Sequence, residues 1–181
     1  MKKINIPVTS AERENLKIGE KVLLSGTLYT ARDAAHKRLV KLLENGQQLP
    51  FPIQNSVIYY VGPAPTPLGK VIGSAGPTTS YRMDPYAPKL MEHGLKVMIG
   101  KGERSMEVRE AMQKYGAVYL VAIGGAGVVM AKAVKKAEVI AYEDLGAEAI
   151  HRLEVEDLPC IVANDIKGND IFEAGVKKYK R

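Results

Sequence analysis

The chain has 181 residues, 46% of them hydrophobic and 25% charged, with seventeen glycines and ten prolines; this balance suits one globular domain and excludes disordered, low-complexity and collagen-like chains. Its single cysteine, Cys160, rules out an internal disulfide and cannot by itself ligate a structural zinc or an iron–sulfur cluster. A formal charge of +6 points to nucleic acid or a small anion as partner, and the distribution of that charge decides between them.

From the start of the chain, Met1 to Thr9 carries Lys2 and Lys3 but no apolar run of signal-sequence length. No later stretch approaches the roughly 18 uncharged apolar residues of a membrane span. A cytoplasmic protein without a membrane partner is expected. Strands are predicted at Lys2–Val8 and Lys21–Thr27, followed by a helix over Asp33–Asn45 with Ala34, Leu39, Val40 and Leu43 at helical spacing. Further on, strands at Val57–Val61, Leu95–Ile99, Val118–Ile123, Glu138–Tyr142 and Cys160–Ala163 alternate with helices at Pro85–His93, Met106–Tyr115 and Gly127–Ala137. Repeated strand-to-helix succession indicates an α/β layer architecture. The Lys2–Thr27 and Ala149–Val162 regions hold strands without a convincing helix between them, which predicts an additional β-rich layer. No linker or internal repeat divides the chain, so residues 1–181 are read as one domain.

Much of the positive charge falls on Lys2, Lys3, Lys132, Lys135, Lys136 and the tail from Lys177 to Arg181, which read as solvated termini and one helix face. The chain has no tryptophan and two phenylalanines, so base-stacking platforms are poorly supplied and no nucleic-acid partner is expected. A small anion is the better reading.

The informative residues lie where strands give way to helices. In Gly26–Asp33, Arg32 is placed in the first turn of a helix, near an N-cap at Thr30, where a cation opposes the helix macrodipole. It serves either an anionic ligand or an ion pair with Asp33 or another acid. In Gly73–Pro85, small residues and three successive hydroxyls (Thr78, Thr79 and Ser80) precede Arg82. Small residues such as Gly76 let backbone N–H groups approach an anion, and the arginine fork can hold a carboxylate through two parallel bonds. A capping turn explains one hydroxyl but not three with an arginine. In Ile99–Ser105, glycines on both sides of Lys101 predict a tight turn that presents its ammonium group. The order of a phosphate-binding P-loop is absent there, and Gly124–Gly127 lacks full dinucleotide spacing, so no nucleotide site is expected. Ligands of open α/β sheets gather beyond the carboxyl ends of the strands. Arg32, Arg82 and Lys101 are therefore expected to converge there on a dicarboxylate.

With these residues in view, the chain resembles the β subunit, equivalent to the C-terminal domain, of class I fumarases and L-tartrate dehydratases. The resemblance runs through Thr27–His36, Gly76–Asp84, Ile99–Gly102, Ala122–Ala126, Asp144–Ile150 and Asn164–Asp170. It implies a swivelling β/β/α three-layer domain and an iron–sulfur hydro-lyase activity: reversible hydration of fumarate to L-malate, or dehydration of tartrate. It also implies a [4Fe-4S] cluster held by a partner α subunit and none by this chain. Thr78 then becomes the catalytic threonine with Arg82 beside it, while Arg32, Lys101, Thr79 and Gly76 bind substrate. If the helix begins near Thr78, Arg82 lies one turn on and can lower the hydroxyl's pKa. The rival reading is a non-catalytic dicarboxylate-binding regulatory module. Self-association of the isolated chain is left open. His36 matches the family stretch after Arg32, His93 ends a helix, and His151 has no motif context; a structural role is the default for all three.

Overall fold

Alternation of side chains about three short strands organises the molecule. In the computed structural model, which describes residues 1–122 and 127–180, these are β3 (Val57–Tyr59), β4 (Val97–Gly100) and β5 (Val118–Val121), nearly all of whose residues are buried. Such strands are covered on both faces, which is why they read as unbroken apolar runs. They join β1 (Lys2–Asn5), β2 (Lys21–Thr30), β6 (Val134–Ala141) and β7 (Ile150–Asn164) in one seven-stranded sheet, ordered β1-β2-β3-β4-β5-β7-β6. An additional β2–β7 pairing closes β2, β3, β4, β5 and β7 into a barrel. Strands β1 to β5 run parallel, while β7 is antiparallel to β2, β5 and β6.

Because successive side chains leave a strand on opposite faces, the closed sheet has two apolar layers. Val22, Leu24, Leu28, Val57, Tyr59, Val97, Ile99, Leu120, Leu153 and Val162 share one buried cluster. Their neighbours Ile58, Tyr60, Met98 and Tyr119 belong to a second, with Leu39 of α2 (Asp33–Glu44), Leu90 and Met91 of α3 (Ala87–Glu92), and Val108 and Met112 of α4 (Met106–Tyr115). Two walls of sheet and one layer of helices give the β/β/α arrangement. Helix α4 is bounded by its own sequence: the Ser105 hydroxyl accepts the Val108 N–H, and Gly116 ends it at φ 63°.

Several boundaries differ from the sequence expectations. The first strand stops at Asn5, and a capping box between Thr9 and Glu12 opens α1 (Ser10–Asn15), a helix not anticipated. Strand β2 continues to Thr30, and β3 ends at Tyr59 rather than Val61. The helix expected over Gly127–Ala137 ends as α5 (Gly127–Ala133), and the following residues enter β6. Pairing of Val134 with Val155 and Ala137 with Leu153 outweighs the helical preference of the Lys-Lys-Ala run. The Cys160–Ala163 strand is the end of the fifteen-residue β7. Unanticipated as well is α6 (Ile171–Tyr179), capped by the Asp170 carboxylate through the N–H groups of Phe172 and Glu173. Ile123 and Gly124–Ala126 lie outside the described residues. No helix of the described residues is long and apolar enough to cross a membrane.

Candidate functional site

Since β2 to β5 are parallel, the segments that follow them leave the sheet at one end. Arg32 follows β2, the segment containing Gly76 and Thr78 closes the long connection after β3, and Lys101 follows β4. The connection after β3 returns to the strand it left, where the Tyr60 carbonyl accepts the Thr78 N–H at 2.7 Å. One residue on, Thr79 pairs with Lys101 in a single parallel bridge, and the Ser80 N–H donates to the Lys101 carbonyl at 2.9 Å. Gly76 is exposed and packs on the start of α5: the Ala75 N–H donates to the Gly127 carbonyl at 3.0 Å, and a Cβ on Gly127 would lie 3.1 Å from the Gly76 nitrogen. Backbone contacts thus join the Thr78–Ser80 segment to the Lys101 turn, while Gly76, two residues earlier, rests on α5.

Arg82 lies in the short 3-10 turn Ser80–Met83, exposed to solvent. That turn begins after Thr79, whose side chain makes no capping bond, and Thr78 precedes it. The expected one-turn spacing between Thr78 and Arg82 along a helix is therefore not formed. Among the described residues neither Arg82 nor Lys101 has a carboxylate within 4.0 Å.

Arg32 is different. It occupies the N-cap position of α2 without a capping bond, one residue before the expected first turn, and pairs with Glu148 at 3.0 Å and Asp33 at 3.7 Å. Glu148 ends the 3-10 segment Glu143–Glu148 that leads into β7. The arginine side chain passes close to Gly62, where a Cβ would lie 3.2 Å from its Cδ. Beneath it, the His36 Nδ1 is 2.9 Å from the Arg32 carbonyl, and the fully buried ring is pushed down to about 4 by desolvation. Thr30 is no N-cap; its hydroxyl accepts the His151 N–H at 2.9 Å and ties β2 to β7. His93 caps the end of α3 with Nδ1 2.9 Å from the Lys89 carbonyl.

Sequence reasoning missed the residues that hold these segments in place. Arg104 is buried; its Nε donates to the Asp84 Oδ1 at 2.7 Å, and Asp84 Oδ2 accepts the Ser105 N–H at 2.7 Å. The guanidinium lies over the rings of Tyr60 and Tyr119, at 5.3 and 4.9 Å from their centres. This pair joins the segment carrying Arg82 to the turn carrying Lys101. Arg104 and Asp84 are twenty residues apart, outside any local spacing rule. Glu148 and Ser80 lie within Asp144–Ile150 and Gly76–Asp84, but no local pattern marks their partners.

The donor set for an iron–sulfur cluster does not fit this chain. Cys160 is buried in the barrel interior, where desolvation pushes its thiol up to about 12. Among the described residues no three His, Cys, Asp or Glu side chains gather as metal ligands.

This geometry defines an α/β domain in which the segments carrying Arg32, Thr78 and Lys101 follow the carboxyl ends of parallel strands. The chain belongs to the fumarase C-terminus family, whose model matches residues 1–175. It is 44% identical over 170 residues to "Fumarate hydratase class I, anaerobic" of Escherichia coli (strain K12), covering 93% of this chain and 31% of that protein. A similar match, 44% over 177 residues, links it to "Fumarate hydratase 1, mitochondrial" of Leishmania major. The chain spans about a third of the length of these fumarate hydratases. It covers 91% of the "Putative L(+)-tartrate dehydratase subunit beta" of Methanocaldococcus jannaschii, at 37% identity.

Proposed function

We propose that this chain is the β subunit of a hydro-lyase that interconverts fumarate and L-malate, active together with a partner α subunit that carries a [4Fe-4S] cluster. The observation that carries the reading is the bridge between Thr79 and Lys101, which joins the segment containing Thr78 to the turn containing Lys101 beyond the ends of adjacent strands. Removing a proton from the carbon next to a carboxylate builds negative charge on that carboxylate. Fixed cations aimed at it stabilise the transition state more than the ground state. Lys101 and Arg82, which lack carboxylate partners among the described residues, take this part, with Arg82 offering two parallel bonds to one carboxylate. Thr78 moves the proton, and Thr79 and the backbone at Gly76 complete the substrate contacts. Arg32 reaches the substrate by exchanging one of its own acids for a substrate carboxylate. Support for a separate partner comes from the likeness to a whole subunit named beta. The same likeness favours L-tartrate as the second candidate substrate.

The test follows the absorbance of the fumarate double bond with malate or fumarate as substrate, for each subunit and then for the two combined without oxygen. Turnover is expected only from the combination. Turnover by this chain alone, in air and after chelation, would falsify the two-subunit reading. A combined enzyme that dehydrates tartrate and leaves malate untouched would move the assignment to the second substrate.

A further inference from the structure

Two buried hydroxyls sit behind the Lys101 turn. Tyr119, on β5, directs its phenol into the layer between sheet and helices, 2.7 Å from the Ser80 hydroxyl and 2.9 Å from the Gly102 carbonyl. A carbonyl can only accept, so the Tyr119 O–H donates to Gly102, and the Ser80 O–H is left to donate to the phenol oxygen. The Ser80 oxygen in turn accepts the Lys101 N–H at 3.1 Å, while the Ser80 N–H donates to the Lys101 carbonyl at 2.9 Å. Every proton in this chain of bonds therefore has one direction. The amide and carbonyl of Lys101 and the carbonyl of the next residue are all held by side-chain or backbone groups from other segments.

The surroundings preserve this arrangement. A Cβ on Gly100 would fall 2.0 Å from the Ser80 Oγ, so only glycine leaves room for the serine there. The Tyr119 ring is held under the Arg104 guanidinium, and burial pushes its phenol upward, which keeps it a neutral donor. Gly102, at φ +82°, completes a turn held by these bonds, by the bridge to Thr79 and, two residues on, by the pairing of Arg104 with Asp84. A lysine ammonium on a four-carbon stem is a poor aim unless its backbone is fixed.

We propose that Ser80 and Tyr119 are positioning residues for Lys101, their hydroxyls fixing the backbone from which its ammonium group is presented to a substrate carboxylate. The proposal rests on the reading of Lys101 as a substrate-binding cation.

Tyr119→Phe tests it with the least disturbance, because the ring and its contact with Arg104 remain and one hydroxyl is lost. In the assembled two-subunit enzyme, KM is expected to rise about threefold, short of the loss from removing the charge itself, with a smaller change in kcat. Calorimetric binding of succinate, a saturated C4 dicarboxylate, should weaken in parallel. On a Lys101→Met background the same substitution should change neither quantity further, since it acts only through Lys101. Ser80→Ala carries the same expectations and replaces it if the phenylalanine variant fails to assemble. Wild-type KM and succinate binding in Tyr119→Phe, beside a defective Lys101→Met enzyme, would overturn this proposal alone. A loss that persists undiminished on the Lys101→Met background would overturn it too, as a structural defect. An unaltered Lys101→Met enzyme would instead remove the reading of Lys101 on which it stands.

Discussion

The strand end at Arg32 and the strand end at Thr78, Arg82 and Lys101 handle positive charge in opposite ways. Arg32 is matched by Glu148 and Asp33, packed against Gly62, and its carbonyl lies 2.9 Å from Nδ1 of the buried His36. At the other end the charges themselves have no carboxylate partner among the described residues; instead the backbone beneath them is fixed, by the Thr79–Lys101 bridge and by the buried Arg104–Asp84 pair. A cation matched by the protein's own acids holds the fold together and must be released to hold a ligand. A cation left unmatched on a fixed backbone makes its ion pair only when an anion arrives, and that interaction is available to catalysis.

The largest effect is expected from Thr78→Ala, which should lower kcat by about two orders of magnitude or more with a smaller effect on KM. Thr78→Ser should retain more activity. Steady-state kinetics of the assembled enzyme checks both, and an alanine variant with wild-type kcat would remove the catalytic role from this end altogether.

Next in size is a pH effect on the Arg32 end. His36 titrates near 4 in the folded chain and near its ordinary 6.5 when unfolded. As pH falls below 6.5 the unfolded chain takes up the proton first, so stability is present above that value and declines toward 4. The expected loss between pH 7 and pH 5 is about 2 kcal/mol. Denaturant melts across this range should show it, and His36→Gln should flatten the slope; an unchanged slope would assign the effect to other groups.

Smaller again are the cations of the open end. Arg82→Lys keeps the charge and loses the two-pronged geometry, and Lys101→Met loses the charge; each should cost about tenfold in kcat/KM, roughly 1.4 kcal/mol. If both variants turned over normally, the substrate carboxylates would have to bind elsewhere.

Glu148→Gln gives the smallest expected change and the sharpest contrast. Freeing Arg32 from its nearest acid should tighten dicarboxylate binding two- to threefold, less than about 1 kcal/mol, as fits a partly exposed ion pair. Calorimetry with succinate reads this directly. Unchanged affinity with a lowered melting temperature would leave Arg32 as a purely structural residue.

The sequence makes legible the α/β class, most strands and helices, and the three loop segments that follow β2, β3 and β4. Those follow from local causes: apolar runs such as Val57–Tyr59 and Val118–Val121, glycines flanking Lys101, and the order of hydroxyls and arginine between Gly76 and Arg82. It misplaced the junction at Ala133 and Val134, because whether that run continues a helix or begins a strand is decided by β7, which follows later in the chain. Closure of the sheet through β2 and β7 comes from long-range contacts, as does the match of Arg32 with Glu148, 116 residues away, while Lys101 has no such match among the described residues. Arg104 illustrates the same division. In the sequence it is one more cation after a glycine-rich turn, and in the fold it is a buried brace between two loops. Local pattern records which face a residue prefers and where a turn is cheap. The cost of burying a charge, and the choice of its partner, depend on which distant segments exclude water from it, and those are set only when the sheet has closed.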